Sequence, residues 1–235
     1  MGKPQSGWSH FFEAGDFSSD YDAFDPVPHR AHMRTLGYLQ QGDRVLEVGC
    51  SSGALTERIA AKGCRVTGIE LRPDAAEKAR RFGEVVLVGD FATMPLPLSP
   101  SSFDVILLID VLEHLADPSR ALRRLFPLLR DGGRFVIAIP NVAHWSVRAR
   151  LLRGRFDYED SGILDRTHLR FYTRDTAHAM LEDAGLKVQE MDLVPDVPLL
   201  RFKSRLTELN YRVASLFPGL LATEFFFVGT PRRRA

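Results

Sequence analysis

The sequence predicts an α/β protein built on a doubly wound, mostly parallel sheet with helices on both faces. Three observations point to it. First, short and nearly unbroken apolar runs at 45–48, 66–69, 85–88 and 103–109 are separated by turn signals and helical periodicity, the pattern of parallel strands buried on both sides. Second, the first run opens directly into Gly49-Cys-Ser-Ser-Gly53, where two glycines let the backbone turn sharply and approach a ligand without a Cβ in the way. Third, each later run closes at or near a carboxylate, at Glu70, Asp90 and Asp110. In open α/β sheets, ligands bind outside the carboxyl ends of the strands at the topological switch point.

The elements follow in order. Residues 1–27 are polar but carry Trp8, Phe11, Phe12, Phe17, Tyr21 and Phe24, too many rings for a plain disordered tail. They either pack on the sheet edge or form a lid that places Phe17 or Tyr21 on the ligand. Residues 28–39 read as a helix leading into the first strand. After the glycine turn, Leu55, Ile59 and Ala60 recur at helical spacing, and Gly63 is the stop signal. The third run ends in Gly89-Asp90-Phe91. Met94-Pro-Leu-Pro-Leu-Ser-Pro100 is a loop, because proline removes donors and fixes φ. Asp117-Pro118 supplies a helix N-cap and first position, with Leu122, Leu125, Phe126 and Leu129 as the buried stripe and Gly132-Gly133 as its end. The fifth strand is 135–139, closing at Pro140-Asn141. Residues 141–172 are rich in Arg, Asp, His and aromatics with little periodicity beyond a short helix at 144–152, and should fold over the strand ends to cover the pocket. Thr173 caps a helix with Ala177, Met180, Leu181 and Ala184 on its stripe and Gly185 at its end. Then come a strand at 186–192, a helix at 202–217, a strand at 224–229 and a short basic tail at 232–234. With no internal repeat and no linker, 1–235 reads as one domain, with 1–40 as N-terminal lid or helix and 141–172 as a substrate-side insertion.

The glycine turn narrows the ligand. A dinucleotide fingerprint, G-x-G-x-x-G/A, uses its second glycine to admit a pyrophosphate; that position is Ser51, although Ala54 passes as the third. A ligand without a pyrophosphate tolerates Ser51, and S-adenosylmethionine is one. Glu70 would take its ribose diol. Asp90 would accept from the exocyclic amine while the Phe91 ring covers the base. On Glu47-Val-Gly-Cys-Ser-Ser-Gly53, Glu70, Asp90 and Asp110-Val-Leu-Glu-His-Leu-Ala-Asp117, the chain resembles the Rossmann-like class I S-adenosylmethionine-dependent methyltransferases over roughly residues 43–192. The resemblance implies a seven-stranded sheet with an antiparallel last strand. It also implies a cofactor site of Glu47, Gly49, Cys50, Ser51, Gly53, Glu70, Leu71, Asp90, Phe91, Asp110 and Val111, with S-adenosylhomocysteine as product. Ser51-Ser52 departs from the usual glycine loop, but adds only small side chains.

Methyl transfer is an in-line displacement, so the protein must align a nucleophile and in many cases remove its proton. His114, His144 and His168 are candidate bases because imidazole titrates near neutrality. His114 stands four residues after Asp110, near the mouth of the fourth strand; a packed or solvated helix-start histidine is the alternative. Asp165 stands close enough in sequence to orient the His168 imidazole, as acids do in other base pairs. The alternative is that Asp165, Arg166 and Arg170 only pair with one another. Tyr21, Asn141, His144, Arg166 and Arg170 are the candidate acceptor contacts. Arginines at 148, 150, 153, 155, 166, 170 and 174 either favour an anionic or carrier-linked acceptor or form a solvated face paired with Asp157, Glu159, Asp160 and Asp165. The stretch from Gly162 to Thr173 also resembles a bacterial subgroup assigned as O-methyltransferases near glycan or secondary-metabolite assembly. That implies a small-molecule or sugar hydroxyl as acceptor. N- or C-methylation, a non-catalytic cofactor-binding subunit and a dinucleotide oxidoreductase are the alternatives.

Bulk properties exclude other classes. The 235 residues carry a formal net charge of +1, so no global field favours nucleic acid or membrane. Two cysteines, Cys50 and Cys64, do not make a disulfide framework. No Cys/His cluster has metal-ligand spacing, so no metal is expected. The N-terminus lacks the apolar core of a signal peptide, and no apolar run reaches the ~20 residues of a membrane span. A soluble cytoplasmic monomer or homodimer is the expectation.

Overall fold

In the computed structural model, which describes residues 31–198, 200 and 204–232, the first apolar run becomes β1 (Arg44–Val48), a central strand with Val45, Leu46 and Val48 buried. It is followed by β2 (Arg65–Glu70), β3 (Val85–Val88), β4 (Phe103–Ile109), β5 (Leu129–Pro140), β6 (Leu186–Pro195) and β7 (Ala222–Pro231). These form one seven-stranded sheet in the order β3-β2-β1-β4-β5-β7-β6. β1 to β5 pair in parallel, and β7 runs antiparallel between β5 and β6. The chain winds outward from β1 to β3, then crosses to β4 on the other side of β1. The switch point therefore lies between β1 and β4.

The helices are α1 (Ala31–Gly37), α2 (Ala54–Ala61), α3 (Pro73–Ala79), α4 (Pro118–Leu125), α5 (Trp145–Leu151), α6 (Arg174–Asp183), α7 (Thr207–Leu216) and α8 (Pro218–Leu221). β4 shows why its sequence is continuously apolar. Ile106 and Leu108 pack into a core with Leu122 and Leu125 of α4 and Ala177 and Leu181 of α6. Val105 and Leu107 pack into another with Ala31 of α1 and Leu55 and Ile59 of α2. Alternate side chains of one strand thus serve two layers. Asp192 on β6 holds α1 and α7 in place: Arg34 and Tyr38 reach its Oδ2, and the Tyr211 hydroxyl donates to its Oδ1 at 2.8 Å.

Two departures from the sequence expectation have a clear physical reason. α3 fills the gap between the strands at 66–69 and 85–88, where no element is expected. Its buried residues are Ala75, Ala76 and Ala79, so it lies close to the sheet without a stripe of large apolar residues for periodicity to reveal. Pro73 occupies its first turn, as the fixed φ of proline favours. The second departure is at Leu129. It belongs to β5, paired with Phe103, and not to the α4 stripe. A 3-10 turn at Phe126–Leu128 separates helix from strand, where Pro127 has no N–H to continue the helix. Gly132-Gly133 then lies inside β5, and a Cβ on Gly133 would stand 2.8 Å from Asp104 O. The segment 1–27 with Tyr21, the first residues of the 28–39 and 202–217 helices and the tail beyond Arg232 lie outside the described residues.

The insertion at 141–172 crosses the carboxyl ends of β4 and β5. Val142 N donates to Tyr172 O at 2.8 Å, and Leu169 N and Arg170 N both donate to Glu113 O at 2.9 and 3.1 Å. No helix among the described residues is long and apolar enough to cross a membrane.

Candidate active site

At the switch point the glycine loop is pressed between neighbours. Gly49 N and Cys50 N donate to Ile69 O at 2.7 and 3.2 Å, tying the loop to the end of β2. Gly49 has φ 78° and Gly53 φ 89°. A Cβ on Gly49 would meet Val111 Cγ2 at 2.9 Å, and one on Gly53 would meet Ala79 Cα at 2.7 Å. Both positions therefore demand glycine for conformation and for space. Ser51 also sits in the left-handed region, at φ 47°. Glu70, buried at the end of β2, accepts from Ser51 N at 2.9 Å on one oxygen and from Arg72 N at 3.0 Å on the other. A carboxylate oxygen has two lone pairs, so each keeps one for a ligand hydroxyl.

The crevice above these residues is lined by Gly49, Ser51, Ile69, Glu70, Leu71, Arg72, Gly89, Asp90, Phe91, Asp110, Val111, His114, Leu115 and Thr167. Eight of the expected cofactor residues thus meet on one surface: Gly49, Ser51, Glu70, Leu71, Asp90, Phe91, Asp110 and Val111. Glu47 and Cys50 line a smaller adjoining pocket instead. There Glu47 accepts from Thr56 Oγ1 at 2.6 Å, and burial raises its carboxyl to about 7. Burial likewise pushes the Cys50 thiol up. Gly53 shapes the turn. Asp90 spends its carboxylate on a turn, accepting from Ala92 N at 2.8 Å and Thr93 Oγ1 at 3.0 Å. Asp110 is held at φ 52°. Burial first, then Glu113, keeps its carboxyl well above the usual range.

On the acceptor side of the crevice, the histidine expected as base is not the one exposed to it. His114 lines the crevice; His168 does not, and packs edge-on against it with ring centroids 4.7 Å apart. Asp165 contacts Thr167: its Oδ1 accepts from Thr167 N at 2.7 Å and Thr167 Oγ1 at 2.6 Å. Thr167 Oγ1 in turn lies 3.0 Å from His114 Nδ1. His168 Nδ1 faces Ile163 O at 3.2 Å. Burial lowers both imidazoles, His114 to about 4 with a further push from His168, so both are neutral near pH 7. Beneath them lies Glu113, 1% exposed, with neither carboxylate oxygen hydrogen-bonded among the described residues. Burial raises it to about 8. One ligand-type atom from each of Glu113, His114 and His168 lies within 4.8 Å of the other two. No sequence spacing reveals this cluster, because its third member arrives on the insertion.

The remaining acceptor candidates are engaged away from the crevice lining. Asn141 donates its amide to Ala222 O at 2.8 Å and Gly219 O at 3.2 Å, and accepts from Ala143 N. His144 caps α5, and its Nε2 lies 3.3 Å from Asp196 Oδ2. Arg166 pairs with Asp160, and Arg170 donates to Ala116 O. Arg150–Glu159 and Arg155–Asp157 pair in the same way, so the interleaved acids take up much of the arginine charge. Sequence reasoning missed Arg72, Glu113 and Thr167. Arg72 and Thr167 stand beside residues it singled out, but which neighbour faces the crevice is a matter of backbone direction.

A doubly wound sheet with a glycine loop at its switch point and an acid closing the next strand defines a nucleoside-binding α/β enzyme. Residues 20–191 match a family model described as a methyltransferase domain. The chain therefore belongs to that family, and it is an S-adenosylmethionine-dependent methyltransferase. Among curated relatives, the ubiquinone biosynthesis O-methyltransferase of Xanthomonas oryzae pv. oryzae is 30% identical over 246 residues, covering 92% of this chain and 98% of that one. The protein of the same name from Aeromonas salmonicida is 29% identical, covering 75% and 77%. Among solved structures, an Archaeoglobus fulgidus S-adenosylmethionine-dependent methyltransferase gives a TM-score of 0.62 at 18% identity, covering 83% and 89%. A Thermotoga maritima methyltransferase, titled a possible histamine N-methyltransferase, gives 0.60 at 20%, covering 87% and 89%. At these identities the structures speak for the fold alone.

Proposed function

We propose that this methyltransferase methylates a hydroxyl of a small molecule, with His114 as the group that takes the hydroxyl proton. The observation that carries the reading is that a neutral imidazole lines the same crevice as Glu70 and Asp110. The relatives named O-methyltransferases at about 30% identity support oxygen as the atom methylated. When bound, S-adenosylmethionine supplies a methyl group already activated on a sulfonium. Glu70 would accept from the ribose diol, with the Gly49–Gly53 loop against the rest of the cofactor, and Asp90 and Phe91 would flank the adenine. Asp110 and Val111 would set the floor between cofactor and acceptor. Alignment in such a crevice can contribute ~7–11 kcal/mol of the barrier. His114 adds removal of the proton.

An acceptor screen with label in the transferred methyl group tests this, followed by His114→Ala on the best acceptor. Label on oxygen and a rate loss of roughly 10²–10⁴, with affinity for S-adenosylhomocysteine unchanged, is the expected result. Label on nitrogen or carbon, or an undiminished rate in the variant, overturns it.

A second way of activating the hydroxyl has its own observation. Glu113, His114 and His168 offer one carboxylate and two imidazoles to a common point, a donor set suited to a transition-metal dication. A cation there would polarise the hydroxyl directly. Dialysis against a chelator and back-titration with zinc, manganese and magnesium separates the two routes. Loss and recovery of the rate favours the cation; an unaltered rate favours proton transfer to His114 alone.

A further inference from the structure

We infer that Thr167, backed by Asp165, is a positioning residue that fixes which nitrogen of His114 carries the proton. The inference rests on the reading of His114 as proton acceptor and extends it one residue outward. Asp165 Oδ1 accepts the backbone N–H of Thr167 at 2.7 Å and its hydroxyl at 2.6 Å. With its hydrogen committed to Asp165, Thr167 Oγ1 can only accept from His114 Nδ1, 3.0 Å away. Among the described residues the other neighbour of Nδ1 is Thr167 O at 3.3 Å, and a carbonyl only accepts. Both neighbours of Nδ1 are acceptors, so Nδ1 must be the protonated nitrogen. Nε2 is then left with its lone pair, the form a base needs.

The arrangement is held at both ends. Asp165 is 1% exposed, so its hold on the threonine hydroxyl is shielded from water. The loop that carries Thr167 is clipped by Leu169 N and Arg170 N to the carbonyl of Glu113, the residue bonded to His114. Imidazole and threonine therefore move together. His168 is engaged elsewhere through its ring nitrogens, with Nδ1 3.2 Å from Ile163 O and Nε2 3.9 Å from Glu113 Oε1.

The test combines spectroscopy with kinetics. In the wild-type protein, imidazole ¹⁵N shifts assigned through His114→Gln should show a protonated Nδ1 and an unprotonated Nε2 for His114. Thr167→Val keeps the volume and removes the accepting oxygen. It leaves Nδ1 only the longer contact to the Thr167 carbonyl, so the second tautomer should become detectable, kcat should fall at least tenfold with S-adenosylhomocysteine affinity within twofold, and the acid limb of the pH–rate profile should move to lower pH, because the nearer acceptor that favours imidazolium has gone. Thr167→Ser should recover the rate to within about threefold. A protonated Nε2 in the wild type overturns the inference, and so does a Thr167→Val enzyme with unchanged kcat and pH profile. If His114→Ala retains full activity, the reading of His114 as base fails instead, while the wild-type spectrum still decides the tautomer by itself.

Discussion

Glu70 illustrates how much one side chain does here. It ends β2, orders the glycine loop through Ser51 N, orders the start of α3 through Arg72 N, and keeps lone pairs for a bound sugar. Glu70→Ala should weaken S-adenosylhomocysteine binding roughly tenfold or more, since hydrogen bonds to a charged group are worth ~1.5–3 kcal/mol. Calorimetric titration measures this, and an unchanged affinity removes Glu70 from the cofactor's partners. Gly53 is the steric counterpart. With φ 89° and Ala79 Cα 2.7 Å from the position of a Cβ, Gly53→Ala should destabilise the fold by more than ~1 kcal/mol. A denaturant melt at wild-type midpoint would show that the loop relaxes freely. Both residues are legible in the sequence because each sits at a fixed place in the pattern, a glycine in the turn after the first apolar run and an acid closing the second, although the contacts they make reach across to another unit, Glu70 to Ser51 and Gly53 to Ala79. The pairing of Asp165 is not. Sequence proximity favours His168, but the turn in which His168 N donates to Asp165 O sends Thr167 toward the crevice and His168 behind it.

At the scale of elements, α4 depends on its first residue. Asp117 Oδ1 accepts from Arg120 N at 2.9 Å, and Pro118 follows at the first helical position. Asp117→Ala should cost about 0.5–2 kcal/mol, seen as a lower midpoint in urea with an unchanged slope. An unshifted midpoint would show that packing of Leu122 and Leu125 alone holds the helix. Caps and apolar runs of this kind are legible because their physics is local. α3 was not, because three alanines bury little area and leave no stripe. Leu129 is ambiguous in the sequence because a leucine at helical spacing looks the same whether its backbone continues the helix or turns into a strand. Only pairing with Phe103 decides it.

For the whole molecule, buried carboxyls and imidazoles shape the response to pH, and Glu47, Glu113 and His114 show the two directions. Glu47 and Glu113 titrate near 7 and 8, above the ordinary 4.5, because burial penalises their charge. The stability they contribute is complete below about pH 4.5 and is lost as pH rises through 7 and 8. His114 is lowered to about 4 from 6.5, so its contribution is present above pH 6.5 and is lost as pH falls toward 4. Between pH 6.5 and 8 the buried carboxyls dominate, and Glu47, Glu113 and Asp110, each raised by burial, all act downward. The melting temperature should therefore fall across that interval, and Glu47→Gln should flatten the fall. An identical slope in the variant would assign the effect elsewhere.

The position of β7 has a consequence for biosynthesis. Among the described residues, β6 touches the rest of the sheet only through β7, and the outer edge of β5 is completed by β7 alone. While the ribosome is still adding residues before Ala222, the nascent polypeptide carries an open row of backbone donors and acceptors on β5 and a stranded β6. It is then at its most prone to join a neighbouring chain. A product ending at Leu221 should accumulate in inclusion bodies, and supplying residues 222–232 as a separate peptide during refolding should rescue part of it.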